Sequence, residues 1–495
     1  MAEVPGGQGH GEALGREPAG AASTATVGEC PLDRQLEMGT PRGRLVLTTT
    51  ILGSAVAMLD GTIVNVALPR IGRELGAGLS GLQWVVNAYA LALAALILLG
   101  GSLGDRFGRA RVYAIGTAGF GVASLLCGLA PTIETLVLAR AAQGVAAALL
   151  VPGSLAILQA SFRTEHRMAA IGAWTGLLGV ASASGPVVGG WLVDINWRWA
   201  FGLNVPLTAL VVVLTLRVVP ESRNEAASHR LDVAGVALAV VGLGGITYAL
   251  TVAPARPGLV PIGLGVVGVA ALIGFVLVER GSAHPMVTPR LFASRVFTAI
   301  NIVTLLVYAG LAAALLFLAL FLQVTAGWSA LAAGSATLPM SLIMLVLAGR
   351  FGALATAHGP RRYMVAGTLL AAAGFVVLAL SPASPSYVVH ILPGVLLLGL
   401  GLAMLVAPLT GTVLAAAPDE LAGTASGVNN AVSRTAGLLA VAALPPLVGL
   451  SGDAYADPTA MASAFRAAML VCAGLVAAGA GVTAFGLRVS GRPVA

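Results

Sequence analysis

Apolar runs of about 20 residues, separated by short polar or glycine-rich breaks, recur along the chain from residue 45 onward. A helix rises about 1.5 Å per residue, so roughly 20 apolar residues cross a bilayer. Runs of that length predict membrane spans at 45–68, 82–103, 112–130, 135–158, 168–193 and 200–219. Two more follow at 232–253 and 259–279, then six at 297–323, 331–355, 363–381, 387–408, 425–449 and 464–487. The pattern predicts an all-α integral membrane protein with 14 spans, ordered as six, an inserted pair, and six. Residues 1–43 are rich in Gly, Ala and Glu without helical period and read as a flexible tail. The first six-helix bundle is expected over 44–220, the linkers and inserted pair over 221–296, and the second bundle over 297–495.

Composition strengthens the membrane reading. The 495 residues are 58% hydrophobic and only 9% charged, with a mean hydropathy of +0.94. A soluble chain of this length carries more charge. The 64 glycines suit close helix packing in lipid. All 27 basic residues are arginine, which fits a GC-rich, bacterial genome. A net charge of +7 would suggest nucleic acid as partner in a soluble protein; here arginine in loops on one membrane face accounts for it. With the N-terminus inside, 20 arginines fall in inner segments and four, Arg70, Arg73, Arg198 and Arg256, in outer ones. That asymmetry places both termini in the cytoplasm and the chain in the cell membrane. The three cysteines are far apart and suggest no disulfide framework.

Against this apolar background a few polar residues stand out. "MLDGTIVNVALP" (Met58–Pro69) sets Asp60 inside the first span. A carboxyl at that depth is costly and marks function by default. It is the one acid clearly interior to the helices of either six-span half. A structural alternative is that Asp60 caps a local break before Gly61, with Asn65 and Pro69 ending the helix, or pairs permanently with an arginine. "LARAAQGVAAALLVPG" (Leu138–Gly153) places Arg140 inside the fourth span, with Gln143 a turn on. Arg140 either snorkels outward or faces a polar cavity or an acid. An apolar setting favours the neutral form of an acid, and a neighbouring cation favours the charged form. An Asp60 pulled both ways by burial and Arg140 can change protonation as a cavity changes sides.

"GDRFGRAR" (Gly104–Arg111) forms an inner loop between spans 2 and 3. Gly104 and Gly108 permit tight turns, and Asp105 can cap span 3 or pair with an arginine. Arg106, Arg109 and Arg111 can bond helix ends or the other half as a gating loop; a plain positive-inside loop is the simpler reading. "AGRFGALATAHGPRR" (Ala348–Arg362) occupies the matching place in the second half, a sign of internal symmetry typical of secondary transporters. In span 5, Ala181, Gly185 and Gly189 recur every four residues and make a smooth stripe. Pro186 loosens the helix there. Static packing and a rocking hinge both fit that stripe.

These motifs, in this order, resemble the major facilitator superfamily. "GDRFGRAR" is similar to its cytoplasmic loop motif, and "RAAQG" (Arg140–Gly144) to its fourth-helix arginine motif. Gly176 followed by "GPVVGG" (Gly185–Gly190, with Pro186, Gly189 and Gly190) resembles the antiporter motif of its drug exporters. "LDGTIVNVALP", "WRWAFGLNVP" (Trp197–Pro206) and "ASGVNNAVSRTAG" (Ala425–Gly437) resemble the 14-span drug:proton antiporter branch. The resemblance covers the chain beyond the tail. It implies proton-driven export of small hydrophobic, often cationic, drug-like compounds by alternating access. A monomer that uses the proton gradient and no cofactor is expected, and as the one clearly interior acid Asp60, with Arg140 near it, is the candidate proton-coupling pair. The chain departs from branch members that handle dications, because span 13 carries Asn429, Asn430 and Arg434 in place of extra acids.

Asn65, Asn87, Gln143, Trp174, Asn301, Tyr308 and Asn429 are candidate cavity residues, and each could instead bond a neighbouring helix. The six histidines are scattered, no metal-ligand spacing occurs, and no phosphate-binding loop is present, so neither an enzyme nor ATP drive is expected. An exporter or facilitator of one endogenous metabolite shares the fold and is the alternative to a drug antiporter.

Overall fold

The computed structural model describes residues 36–223, 232–282, 287–418 and 421–487. The first half contains α1 (Pro41–Leu75), α2 (Leu79–Phe107), α3 (Arg109–Leu129), α4 (Ile133–Ser161), α5 (Thr164–Ile195), the short α6 (Arg198–Gly202) and α7 (Asn204–Val218). The inserted pair is α8 (Val233–Val252) and α9 (Leu259–Gly281). The second half contains α10 (Arg295–Leu320), the short α11 (Ala330–Ser335), α12 (Leu338–His358), α13 (Pro360–Ala379), α14 (Leu392–Ala415), α15 (Ala422–Leu447) and α16 (Pro458–Gly486).

Thirteen helices or helix pairs among the described residues are long and apolar enough to cross a membrane. The 14 runs read from the sequence correspond to these and to α15. At 26 residues α15 is about 39 Å long, enough to span. Its first half carries Thr424, Ser426, Asn429, Asn430, Ser433 and Arg434, which dilute its apolarity.

The helix ends follow local chemistry. Thr40 caps α1 by accepting from the Gly43 N–H, with Pro41 in the first turn, and Gly76 closes it at φ 62°. Thr132 and Thr135 form a reciprocal cap on α4. The sequence alternative that Asn65 and Pro69 end the first span is overturned, since Pro69 lies inside α1, which runs on to Leu75. No break occurs at Gly61 either. A proline removes one N–H from the ladder, a loss that neighbouring helices compensate.

The expected tail is also shorter than 1–43. Residues 1–35 lie outside the described residues, but Leu36 pairs with the strand-like end of α4: its N–H donates to Ser161 O at 2.8 Å, and its carbonyl accepts from Arg163 N–H at 3.2 Å. Glu37 pairs with Arg163 at 2.6 Å.

In the first half α4 packs on α2 and α3, α1 on α5, and α3 on α7. In the second, α13 packs on α14 and α16, α10 on α15 and α16, and α12 on α14. The halves meet through α2 on α15, α5 on α11 and α12, and α1 on α10. Burial ranks the helices by depth. In their most apolar windows α1 and α10 are 61% buried, whereas α8 and α9 are 22% and 17% buried. The inserted pair therefore sits at the periphery, packed on itself with α8 against α2 and α15.

Candidate functional site

Asp60 is 1% exposed, facing the interior of the first half. Its Oδ2 accepts from Arg140 Nη1 at 2.5 Å. Its Oδ1 accepts from Gln143 Nε2 at 2.9 Å and from Asn204 Nδ2 at 3.1 Å. Ser124 Oγ receives the same two amides, at 2.8 Å from Gln143 and 3.3 Å from Asn204. Arg140, also 1% exposed, donates from Nη1 to Gln143 Oε1 at 2.5 Å and from Nε to the Val85 carbonyl at 3.0 Å. Its guanidinium lies 4.4 Å from the centre of the Tyr89 ring and 5.8 Å from that of Phe201.

Five membrane helices thus converge on one carboxylate and one guanidinium. α1 supplies Asp60, α4 supplies Arg140 and Gln143, α3 supplies Ser124, α7 supplies Asn204, and α2 supplies Val85 and Tyr89. Arg140 and Gln143 are three apart and share a helix face. Close approach of α2 and α4 is part of this geometry. Gly144 faces the Tyr89 carbonyl, and an added Cβ would collide with that backbone. Burying two charges costs several kcal/mol per ion unless they are paired and hydrogen-bonded. Here each charge has a charged partner and further hydrogen bonds, which is the condition under which such a pair persists. Proton binding at Asp60 would remove its negative charge and leave the Arg140 cation without a counter-ion.

The sequence treats Arg140 as either snorkelling or inward-facing; the structure has it inward, on Asp60. Gln143, expected in the cavity wall, is fully buried in the ion-pair network instead, because its amide is needed to bond Asp60. Asn204 and Ser124 were not singled out from sequence. Asn204 sits in the quoted "WRWAFGLNVP", where one amide opening an apolar run is the signal that was available.

The expected loop Gly104–Arg111 is almost all helix. Gly104, Asp105 and Arg106 belong to α2, Arg109 and Arg111 to α3, and the break is the single residue Gly108 at φ 110°. A side chain is disfavoured there twice, by the positive φ and by the Glu221 carboxyl, 2.6 Å from where a Cβ would lie. Asp105 does not cap α3. It pairs across the break with Arg109 at 2.8 Å. Glu221 caps α3 instead, accepting from the Ala110 and Arg111 N–H groups at 3.0 and 3.1 Å. A carboxylate at a helix start suits the dipole. Arg106 stacks on Phe107. The matching break in the second half is again one glycine, Gly359, at φ 87°.

In α5, Gly185 and Gly189 lie against Thr62 and Ile63 of α1, while Gly190 faces Ala330 and Leu331 across the halves. The carbonyl of Pro186 abuts Gly334. Gly176 has open space at its Cβ position. The motif is therefore a two-sided seam between α1 and α11, with Gly176 outside it.

At this end the halves are also tied by hydrogen bonds. The Asp194 carboxylate accepts from the Ala330 and Leu331 N–H groups at 3.0 and 3.1 Å. Gln323 donates to Val66 O at 3.0 Å, Tyr455 to Ala77 O at 2.9 Å, and Gln83 to Val441 O at 2.8 Å. Arg70 holds the end of α5 by donating to the carbonyls of Val193 at 2.6 Å and Asp194 at 2.8 Å.

The remaining candidates do not form one site. Asn301, Thr304 and Asn429 make a separate cluster between α10 and α15, with Asn429 Nδ2 donating to Asn301 Oδ1 at 3.1 Å and Thr304 Oγ1 at 2.8 Å. Asn65 bonds its own helix at Gly61 O, 3.3 Å away. Asn87 is fully buried with neither amide atom partnered, and the Trp174 indole N–H is likewise buried without a partner. Tyr308 is half-buried on α10. No group of three metal-ligating side chains occurs among the described residues.

The chain is similar to known proteins over most of its length. Residues 50–441 match the Major Facilitator Superfamily model. The puromycin resistance protein pur8 of Streptomyces alboniger is 38% identical over 82% of this chain and 81% of its own length. The tetracenomycin C resistance and export protein of Streptomyces glaucescens is 33% identical over 90% of this chain and 82% of its own. The multidrug resistance protein Stp of Mycobacterium tuberculosis is 37% identical over 78% of this chain and 72% of its own. Among solved structures, a peptide transporter POT in complex with sulfate superposes with a TM-score of 0.66 at 18% identity, over 91% of this chain and 96% of that one. A bacterial homologue of the human lysosomal transporter Spinster, inward-facing and unoccupied, gives 0.63 at 16% identity, over 90% and 97%.

Proposed function

The chain belongs to the Major Facilitator Superfamily, and on that premise we propose that it is a proton-coupled exporter of small hydrophobic, drug-like compounds. Asp60 is the proton-binding group and Arg140 its responsive partner. The observation that carries this reading is the buried carboxylate held by Arg140, Gln143 and Asn204 at the meeting point of five membrane helices. The named functions of the relatives, resistance and export, support the direction of transport.

The proposed cycle uses the protein's own groups. With Asp60 ionised, the Arg140 pair draws α1 and α4 together. A proton on an Asp60 oxygen cancels one charge, and Arg140 keeps only its neutral partners, Gln143 and Val85 O. The first half then repacks against the second along the glycine seam of α5. The cross-half bonds of Asp194, Gln323 and Tyr455 close one end. The arginine bias makes that end the outside, with both termini in the cytoplasm. One chain contains both halves, so a monomer suffices, and the proton gradient is its energy source.

The energetics are adequate. One pH unit supplies about 1.4 kcal/mol per proton, and 100 mV about 2.3 kcal/mol per charge. Together they sustain roughly a 500-fold gradient of an uncharged substrate for one proton. The test is efflux against uptake in vesicles under an imposed pH gradient. Substrate-driven proton release that depends on Asp60 supports the antiporter. Equilibration that ignores the gradient would overturn it.

A further inference from the structure

The second half carries a guanidinium that nothing in the described structure balances. Arg434 is the thirteenth of the 26 residues of α15, hence at mid-span and away from headgroup level. It is partly exposed, yet its Nε is buried without a hydrogen-bond partner. No ion pair to it occurs among the described residues. The stretches forming α10 to α16 contain no Asp or Glu. Asp60 does not balance it either, being held by three other donors.

Contacts on both sides fix where Arg434 lies. Gln83 bonds Val441, and Leu98 meets Gly427, so α2 and α15 run antiparallel along their contact. Arg434 falls between those points, level with Ala90 and Leu91. On the other side Asn429 bonds Asn301 and Gly437 meets Ala312, so α10 runs parallel to α15. That register sets Tyr308 beside Arg434. Tyr308 is within its electrostatic reach, whereas the Tyr89 ring lies under Arg140 in the first half. One turn along α2 from Gln83 is Asn87, 0% exposed with both amide atoms unpartnered. The seam between the halves therefore holds an unbalanced cation, a tyrosine and an unsatisfied amide.

An unpaired cation at mid-span is costly and persists where its counter-charge arrives with something else. A planar guanidinium matches a carboxylate or an ionised phenol, and a tyrosine ring suits a flat aromatic body. We propose that Arg434 is the anion-recognising residue of the transport cavity, and that the exported compounds are lipophilic aromatics bearing an acidic oxygen. This deepens the exporter reading and rests on it. It departs from the cationic substrates that the sequence resemblance implies.

A matched xanthene pair tests it: fluorescein, which is anionic, and rhodamine 123, which is cationic. Binding to the purified full-length protein is followed by fluorescence anisotropy, with monodispersity checked for each variant. The expected result is tighter binding of fluorescein, weakened at least tenfold by Arg434→Gln and largely kept by Arg434→Lys, with rhodamine 123 affinity unchanged. Equal or weaker binding of fluorescein by the wild type overturns the proposal, as does a parallel loss of both dyes in a well-behaved Arg434→Gln. Dye-driven proton release in proteoliposomes is scored separately. Its absence removes the exporter reading, whereas the order of dye affinities decides the role of Arg434.

Discussion

In the first half of the molecule a carboxylate, a guanidinium and two amides are locked together around Ser124. In the second, three neutral side chains, Asn301, Thr304 and Asn429, share two hydrogen bonds, while Arg434 has no ion pair among the described residues. Both clusters lie in corresponding six-helix bundles. The contrast bears on where a proton can act. A neutral amide cluster has nothing to titrate, so its geometry is indifferent to pH. An ion pair in a dry interior stays only while both charges are present. On the proposed reading the first half is the responsive one and the second serves recognition.

The strongest way to break this comparison is Asp60→Asn. The substitution keeps shape and removes the titrating charge. We expect proton-coupled efflux to be abolished with membrane insertion intact; full substrate-driven proton release by this variant in proteoliposomes would sink the coupling role. Next comes Arg140→Ala, which strands Asp60 in the interior. A loss of about 3–5 kcal/mol is expected, read by denaturation of the purified protein. Adding Asp60→Asn should recover part of it, and no recovery would mean that the two side chains do not act as a pair.

A smaller contrast lies in the two glycine breaks. Gly108→Ala meets both a positive φ and the Glu221 carboxyl, whereas Gly359→Ala meets only the φ, with open space at its Cβ. Costs of about 1–3 kcal/mol for the first and about 1–2 for the second are expected, the first being larger. Glu221→Gln should narrow the gap little, because the clash is steric; a gap that closes would make it electrostatic. The smallest effect is expected for Asn429→Ala, about 1 kcal/mol or less, since only neutral hydrogen bonds are lost. A loss as large as that of Arg140→Ala would erase the distinction between the halves.

Much of this was legible along the chain. The span order, the glycine breaks and the isolation of Asp60 follow from hydropathy and spacing, which are local properties. The two corresponding breaks, Gly108 and Gly359, could be aligned from sequence because each precedes a basic stretch. Other features were not legible. Asp105 had two possible partners, and only the position of Glu221, over 100 residues away, left it to Arg109. Gln143 looked like a cavity residue because a lone amide in an apolar run carries no sign of what faces it. The reach of α1 past Pro69 was not legible, because a proline in an apolar run reads as a helix end.

A membrane protein of two similar halves with one acid interior to them can be read off the chain, because bilayer thickness and the cost of charge in hydrocarbon act on each segment separately. That Arg140 is bound to that acid, while Arg434 is bound to none among the described residues, emerged only from the packed fold. Which charges meet depends on helix rotation and register across distant segments, and those are set by packing between helices rather than by the composition of any one of them.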